Sequence, residues 1–520
     1  MAGTGLHELL ARADARTVAL VDDARAVTFA ELDRAVADVA ARLTESRPPG
    51  AVVAILAANS VDYVTWLYAI PRAGMRALLL NVRDHPRSWA AIVTRSGCTL
   101  VAGDRDLLDQ LDQLGPERPP AVELLEFSQV RPSGAAPEGP RVSTAGDDVA
   151  WVVPTSGTTG TPKLALLTHA SLLAAARGCA EARPVAADDV YLLAFPLCHV
   201  AAYNVLVQHL HGRTVVVTRR FEPGRTAHLI EQHRVTAASL APTMIAALLD
   251  HIAASAQRTA DSASQPDLSS LRLLAYGSAP IAEPLLRRAM TELGCDFSQG
   301  YGMTELSGNC AYLDADGHRR GLDDPEVLRS AGRPTSFVEL RIVDDRGVAV
   351  AIGEVGEIAV RGPQVMAGYL GDPDATAAAI VDGWLRTGDL GRVDAHGVLT
   401  IVDRKKDVIV SGGENVASRE VESVLHADPS VAEAAVIGVP DERWGERVTA
   451  IVVPARDAHV DEGALVARCR AELAAYKIPR RVVIVDALPR NATGKVDKPE
   501  LRRRFTTAAE MGRTTQAVQA

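Results

Sequence analysis

A chain of 520 residues is longer than one ordinary hydrophobic core supports, so two or more domains are expected. Its 47% hydrophobic and 23% charged residues exclude a disordered polymer. A net charge of −10 excludes a protein that holds nucleic acid through bulk positive charge.

The first residues, Met1 to Glu8, lack the basic start and apolar run of a secretory signal. No apolar stretch reaches the roughly 18 residues that a membrane-spanning helix needs, so no integral membrane segment is expected. Thr28 followed by Glu31 has the spacing of a capping box and opens a helical pattern that runs to Leu43. Ala51–Leu56, Ala150–Val153 and Thr214–Thr218 are short β-branched runs bounded by polar, Gly or Pro residues, which predicts buried strands. Strands alternate with helices over residues 1–300. That pattern predicts an α/β fold whose large N-terminal domain has layered, largely parallel sheets. Alternating apolar residues and Gly/Asp turns over Val338–Val360 predict a β meander or small barrel-like subdomain. Ser128–Asp148 and Ala253–Ser270 read as loops, and Thr506–Ala520 as a fraying tail. The charged run Asp403–Asp407 separates two strand-like segments, and a new α+β pattern follows it. The expected division is therefore 1–403 and 404–520.

Six cysteines (Cys98, Cys179, Cys198, Cys295, Cys310 and Cys469) show no CxxC or metal-ligand spacing, as expected of free buried thiols in a reducing cytoplasm. Cys198 precedes His199, but nothing around it in sequence would activate a thiol. Of 55 cationic residues only Lys163, Lys405, Lys406, Lys477, Lys495 and Lys498 are lysines. Arg serves elsewhere, so these positions are candidates for a need for the narrow ammonium group.

Pro154-Thr-Ser-Gly-Thr-Thr-Gly-Thr-Pro-Lys163 follows an expected strand. Its glycines let backbone N–H groups ring an anion, its hydroxyls donate to phosphate oxygens, and its lysine neutralises charge. Alone, the string is equally compatible with a hydroxyl-rich surface turn, and it does not match the Walker pattern.

The string resembles the signature loop of the adenylate-forming superfamily, which takes in acyl-CoA synthetases, luciferases and non-ribosomal peptide adenylation domains. Further segments resemble the family's other motifs in the same order: Phe195–Val200, Tyr276–Pro280, Gln299–Glu305, Trp384–Asp389, Asp403-Arg404, Ser411–Asn415 and Pro489–Lys495. The resemblance therefore spans almost the whole chain. It implies ATP, Mg²⁺ and coenzyme A as the small-molecule partners of an acid–thiol ligase, with a small mobile C-terminal domain.

The same resemblance implies the residue roles. Thr155, Ser156, Gly157, Thr158, Thr159, Gly160 and Lys163 would cradle the β- and γ-phosphates. Gly277, Ser278 and Ala279 would lie against adenine, as would Gln299, Gly300, Tyr301 and Gly302, with Tyr301 as the stacking face. Thr304 would meet phosphate, and Glu305 would hold Mg²⁺. Asp389 and Arg404 would bind ribose. Lys495 would bridge the acid and the α-phosphate, and Lys406 would be the hinge about which the small domain turns for thioester formation. Gly412 and Gly413 would line the pantetheine tunnel, and His199 would gate the acid pocket. One departure is Leu164 after the phosphate-loop lysine, where the family has Gly.

Physically, a carboxylate must attack a phosphate of like charge, so positioning and charge neutralisation matter more than proton transfer. Small residues at Ala201, Ala202 and Gly277 leave room for a medium- or long-chain, aryl or polycyclic monocarboxylic acid. The gate segment has no cation for a second carboxylate, which disfavours a dicarboxylate, and no Asp for an amino-acid amine. Coenzyme A is the expected acceptor. A carrier protein is the alternative, a non-catalytic adenylate-binding protein is a further one, and monomer and homodimer both stay open.

Overall fold

The computed structural model describes residues 5–119, 122–129, 145–155, 162–258, 266–277, 281–456, 458–491 and 494–506. The chain forms two compact units. The first takes in Met1–Ser278, Arg288–Leu340 and Val360–Arg386, and the second Ala279–Arg287, Arg341–Ala359 and Thr387–Ala520.

The first unit holds two large sheets. One has seven strands in the order Gly368–Tyr369, Lys163–Thr168, Val149–Thr155, Arg76–Leu79, Val52–Leu56, Leu100–Gly103 and Glu123–Glu126. Its last five strands are parallel, while Lys163–Thr168 runs antiparallel to both of its neighbours. Val52–Leu56 is buried at every position, as a parallel strand covered on both faces must be. The expected capping box is present: the Thr28 N–H donates to Glu31 Oε2 (2.8 Å), and the Glu31 N–H donates to Thr28 Oγ1 (3.2 Å). The helix it opens, Phe29–Ser46, buries Phe29, Leu32, Val36 and Leu43 along one stripe.

The second sheet has nine strands, in the order Arg333–Pro334, Gly308–Leu313, Asp296–Met303, Leu273–Gly277, Ala237–Leu240, Val190–Leu193, Thr214–Val217, Val18–Val21 and Ala26–Thr28. The order turns at Val190–Leu193. The next strand in sequence, Thr214–Val217, lies on one side of it, and the following one, Ala237–Leu240, on the other. Such a switch point leaves a crevice outside the carboxyl ends of the strands, where ligands of open α/β sheets bind.

Leu164 has a plain explanation. It is 2% exposed in the Lys163–Thr168 strand and packs in the core with Trp89, Val152 and Leu78, so a glycine there would leave a cavity. The expected loop at Ala253–Ser270 is corrected in its first part. The helix Pro242–Arg258 continues into it because the Ala-rich stretch favours helix, and Ser255 Oγ donates back to the His251 carbonyl (2.8 Å). Val338–Val360 contributes the strands Glu339–Val343 and Gly356–Arg361 to a five-stranded sheet. Its strands run in the order Glu339–Val343, Gly356–Arg361, Trp384–Val393 and Ile380–Val381, with Leu399–Arg404 also pairing Trp384–Val393.

The second unit is built on a five-stranded sheet in which Val431–Asp441 and Gly445–Pro454 form a long antiparallel pair. Ile409–Ser411 and Glu414–Val416 continue one edge, and Arg481–Ile484 joins Gly445–Pro454 in parallel. Helices Ser418–His426 and Glu462–Glu472 supply Val421, Leu425, Leu465 and Cys469 to its core. Among the described residues, no helix is long and apolar enough to cross a membrane.

Candidate active site

In the first unit, strand register decides where the phosphate loop begins and ends. Thr155, the last residue of its strand, pairs with Lys163, the first of the antiparallel neighbour. The two ends of the loop are thereby fixed side by side. Ser156, Gly157, Thr158, Thr159 and Gly160 lie outside the described residues, as do Ser278 and Ala279.

Lys163 Nζ lies over the ring of Tyr369, 4.8 Å from its centroid. The Tyr369 hydroxyl donates to Glu305 Oε1 at 3.0 Å. Burial, reinforced by the Glu305 carboxylate, pushes the Tyr369 phenol far above its ordinary range, so it stays a proton donor. One aromatic residue thus joins the phosphate-loop cation to the metal-ligand candidate. Among the described residues, no cluster of three or more His, Cys, Asp or Glu forms a metal cage. A buried carboxylate that shares Tyr369 with Lys163 fits Mg²⁺, which keeps several waters and is commonly held by one or two carboxylates plus phosphate oxygens.

Glu305 lies in the short 3₁₀ turn Thr304–Leu306, whose backbone is held from several sides. The Glu305 carbonyl accepts from the Met366 N–H (2.9 Å), and the buried Gln364 amide donates to the carbonyls of Leu306 (3.0 Å) and Asn309 (3.2 Å). Ser307, fully buried, has φ of 55°, a strained value for a residue with a side chain. The glycines before this turn mark close strand approach. A Cβ on Gly300 would lie 2.1 Å from Asn309 Nδ2, and one on Gly302 2.1 Å from the Gly308 carbonyl oxygen. Gly277 pairs with Gly300, so these motif glycines share one small area of the sheet, while Gln299 and Tyr301 alternate to the other face and are partly exposed.

His199 precedes the 3₁₀ turn Val200–Ala202 and is half-buried. Asn59 pins the segment before it: its amide donates to the Phe195 carbonyl (2.8 Å), and its Oδ1 accepts from the Leu197 N–H (2.7 Å). Ala201 is half-buried and Ala202 fully buried. The Cys198 thiol is pushed up to about 12 by burial, which agrees with its rejection as a nucleophile.

In the second unit, Asp389 and Arg404 are direct cross-strand partners, with Arg404 Nε 3.4 Å from Asp389 Oδ1. Asp403 is 1% exposed. It accepts from the N–H of Arg404 (2.7 Å) and from Ser418 through both its N–H and its Oγ (2.8 Å). Lys498 Nζ donates to Ser418 Oγ (2.6 Å) and pairs with Glu422 (2.8 Å). Lys405 pairs with Asp345, whereas Lys406 is exposed in the turn Lys405–Asp407. Gly412 and Gly413 form a two-residue hairpin turn with φ of 64° and 86°, the geometry that matches strand twist and selects glycine. A Cβ on Gly412 would also lie 2.9 Å from the Trp444 ring. Lys495 follows Gly494 (φ 81°) in a turn closed by the Asn491 N–H donating to the Lys495 carbonyl (2.9 Å). The Lys495 N–H donates to Asn491 Oδ1 (3.0 Å).

Residues 8–370 match the family described as AMP-binding enzyme, and residues 420–495 match the AMP-binding enzyme C-terminal domain. The chain belongs to the AMP-binding enzyme family. It is 38% identical over 498 residues to a feruloyl-CoA synthase of Amycolatopsis sp, covering 95% of this chain and 97% of that protein. It is 36% identical over 483 residues to the medium/long-chain-fatty-acid–CoA ligase FadD8 of Mycobacterium tuberculosis, covering 88% of this chain and 82% of that one. Among solved structures it resembles the o-succinylbenzoate CoA synthetase MenE of Bacillus subtilis in complex with its acyl-adenylate intermediate. That match has a TM-score of 0.83 and 31% identity and covers 97% of this chain and 98% of that one. The same synthetase in complex with ATP and magnesium ion matches with a TM-score of 0.82, 32% identity, and coverage of 97% and 99%.

Within this family frame, sequence reasoning missed Tyr369, Gln364 and Asn59. None carries a motif. Tyr369 reaches Lys163 and Glu305 only because its two-residue strand pairs with Ala165 and Leu166, far away in sequence.

Proposed function

We propose that the chain is an AMP-forming carboxylic acid–coenzyme A ligase acting through an acyl-adenylate. The observation that supports the reading is the Lys163–Tyr369–Glu305 contact, in which a cation at the end of the loop and a buried carboxylate meet the same side chain. Lys163 and the loop hydroxyls would hold the β- and γ-phosphates, and Glu305 would hold the Mg²⁺ that neutralises them. Thr304 would donate to phosphate, Asp389 would accept from the ribose hydroxyls, and Arg404 would donate to the same sugar. Lys495, preceded by a glycine in a tight turn, would stabilise the charge that develops as the acid attacks the α-phosphate.

Lys406, exposed between the anchored Lys405 and Asp407, is the proposed hinge of a C-terminal domain beginning at residue 404. Rotation there would withdraw Lys495 and admit the thiol past Gly412, Gly413 and His199. Coenzyme A is the proposed acceptor, and the named relatives support an aryl or fatty monocarboxylic acid as donor. Five of the six free cysteines are buried, which supports a reducing, cytoplasmic setting.

Incubation with ATP, Mg²⁺, coenzyme A and a panel of monocarboxylic acids, read by mass spectrometry, tests the reading. An acyl-CoA with equimolar AMP is expected. Acyl-AMP without acyl-CoA would point to a carrier protein as acceptor, and neither product from any acid would overturn the proposal.

A further inference from the structure

One face of the nine-stranded sheet carries an unusual group. Leu193 pairs with Ser239, Ser239 with Ala275, and Ala275 with Ser298. One step further on, Gly277 pairs with Gly300 and Gly300 with Tyr312. Paired residues share a face, as do residues two apart on one strand. Tyr191, Ser239, Ala275, Ser298 and Tyr312 therefore line the same surface, with Gly277 and Gly300 at its upper edge.

Arg183, which ends the helix His169–Ala182, lies over this surface and is 9% exposed. Its guanidinium donates to Asn204 Oδ1 (2.9 Å) and, at longer range, to Ser239 Oγ (3.4 Å), and it also contacts Cys179 Sγ. It faces the Tyr312 ring, 5.8 Å from the centroid. Ser239 and Tyr312 lie on opposite sides of the two strands that hold Ala275 and Ser298, so the guanidinium spans the space above those two small side chains. Among the described residues, no Asp or Glu pairs with Arg183, and neither Arg183 Nε nor Ser298 Oγ has a hydrogen-bond partner. An ion buried without a counter-charge is costly, and unpaired buried donors add to that cost. Capping the helix does not explain it, since the head group turns inward onto the sheet.

The position relates to the crevice. Asn204 also donates to the Ala201 carbonyl (2.9 Å), which ties Arg183 to the turn after His199. Ala275 lies two residues before Gly277, about 7 Å down the strand at the usual rise per residue. A flat acid whose carboxyl sits at the strand ends would bring its far end to this level.

We propose that Arg183, with Ser239 and Ser298, forms a polar subsite for an oxygen acceptor (hydroxyl, carbonyl or carboxylate) at the far end of the acid substrate. The inference deepens the ligase reading and rests on it. It also reverses the expectation from the gate segment that no cation is available: the cation comes from the preceding helix. Arg183 is a specificity-determining residue, remote from the reacting atoms.

The test compares 3-phenylpropanoic acids that carry methyl, hydroxyl or carboxylate at the para position, with ATP, Mg²⁺ and coenzyme A. Wild type should favour hydroxyl or carboxylate over methyl by tenfold or more in kcat/KM, on the order of one well-made polar contact. Arg183→Met should erase that preference while leaving kcat/KM for the methyl acid within about twofold. Arg183→Lys should keep part of the carboxylate preference, and it carries the comparison if the Met variant fails to fold. A wild type without the preference overturns the subsite, as does a folded Arg183→Met that loses activity equally on all three acids. Cys179→Ala separates the alternative that the thiol is the counter-charge: an equal loss on all acids in this variant and in Arg183→Met makes the pair structural and sinks the proposal. Absence of thioester and of pyrophosphate exchange with every acid rejects the ligase reading itself, a result distinct from thioester formed without preference.

Discussion

The hydroxyl of Tyr369 donates to Glu305 at 3.0 Å while its ring lies 4.8 Å from Lys163 Nζ. The same side chain therefore orients an anion with its edge and a cation with its face. Tyr369→Phe keeps the face and removes the donor. Half-saturating Mg²⁺ in pyrophosphate exchange should rise several-fold, and stability to urea should fall by about 1–3 kcal/mol, the cost of leaving a buried carboxylate oxygen unpaired. An unchanged Mg²⁺ dependence would remove Tyr369 from the metal site.

Lys495→Ala should slow adenylation by roughly 10²–10³. Thioester formation from supplied acyl-adenylate should stay within about tenfold of wild type, because the lysine is proposed to act only in the first half-reaction. Single-turnover assays of the two steps check this; equal losses in both would falsify the division of labour.

Asp403 is fixed by Ser418 and the Arg404 N–H, and Ser418 by Lys498. Asp403→Ala orphans the Ser418 and Arg404 N–H donors, while Lys498 keeps Glu422. Unfolding of the variant should be easier by about 1–3 kcal/mol, seen as a lower denaturant midpoint with little change in slope.

His209 gives the fold an acid limit. It lies between the Tyr68 hydroxyl (2.9 Å) and the Ala19 carbonyl (3.2 Å), and burial lowers it from 6.5 to about 4. The folded protein thus disfavours the charged ring, and protonation favours unfolding. The stabilisation is complete above pH 6.5. It should decline by about 1.4 kcal/mol per pH unit below that and level off near pH 4. His169, also lowered to about 4 chiefly by burial, adds a similar slope. His209→Gln should flatten part of the acid limb in denaturation curves taken between pH 7 and 4.

Gly412 and Gly413 should respond differently to substitution. Gly412→Ala meets both a positive φ and the Trp444 ring, so it should destabilise by about 1–2 kcal/mol and shift Trp444 fluorescence. Gly413→Asn meets nothing within 4 Å and uses a residue that tolerates the left-handed region, so it should do neither.

Much of the fold is legible in local sequence because its signals are local. The Thr28–Glu31 box, the β-branched run at Val52–Leu56 and the Gly412-Gly413 turn each need only neighbouring residues. The motif residues of the site are legible for the same reason. Tyr369, Gln364 and Asn59 meet partners far away in sequence, as Arg183 meets Ser239, and no spacing announces them. Leu164 shows the converse: a residue that departs from a motif answers to the core behind it. The helix through Arg258 was missed because small polar residues suit a turn and a helix end alike.

The ladder Leu193–Ser239–Ala275–Ser298 behaves like a keyboard of independently replaceable keys. Each position comes from a separate strand whose backbone is held by its neighbours, so exchanging one side chain alters depth or polarity at one point without moving the others. Acid preference could then drift or be redesigned through Ala275 and Ser298 while Lys163, Glu305 and Lys495 keep their places.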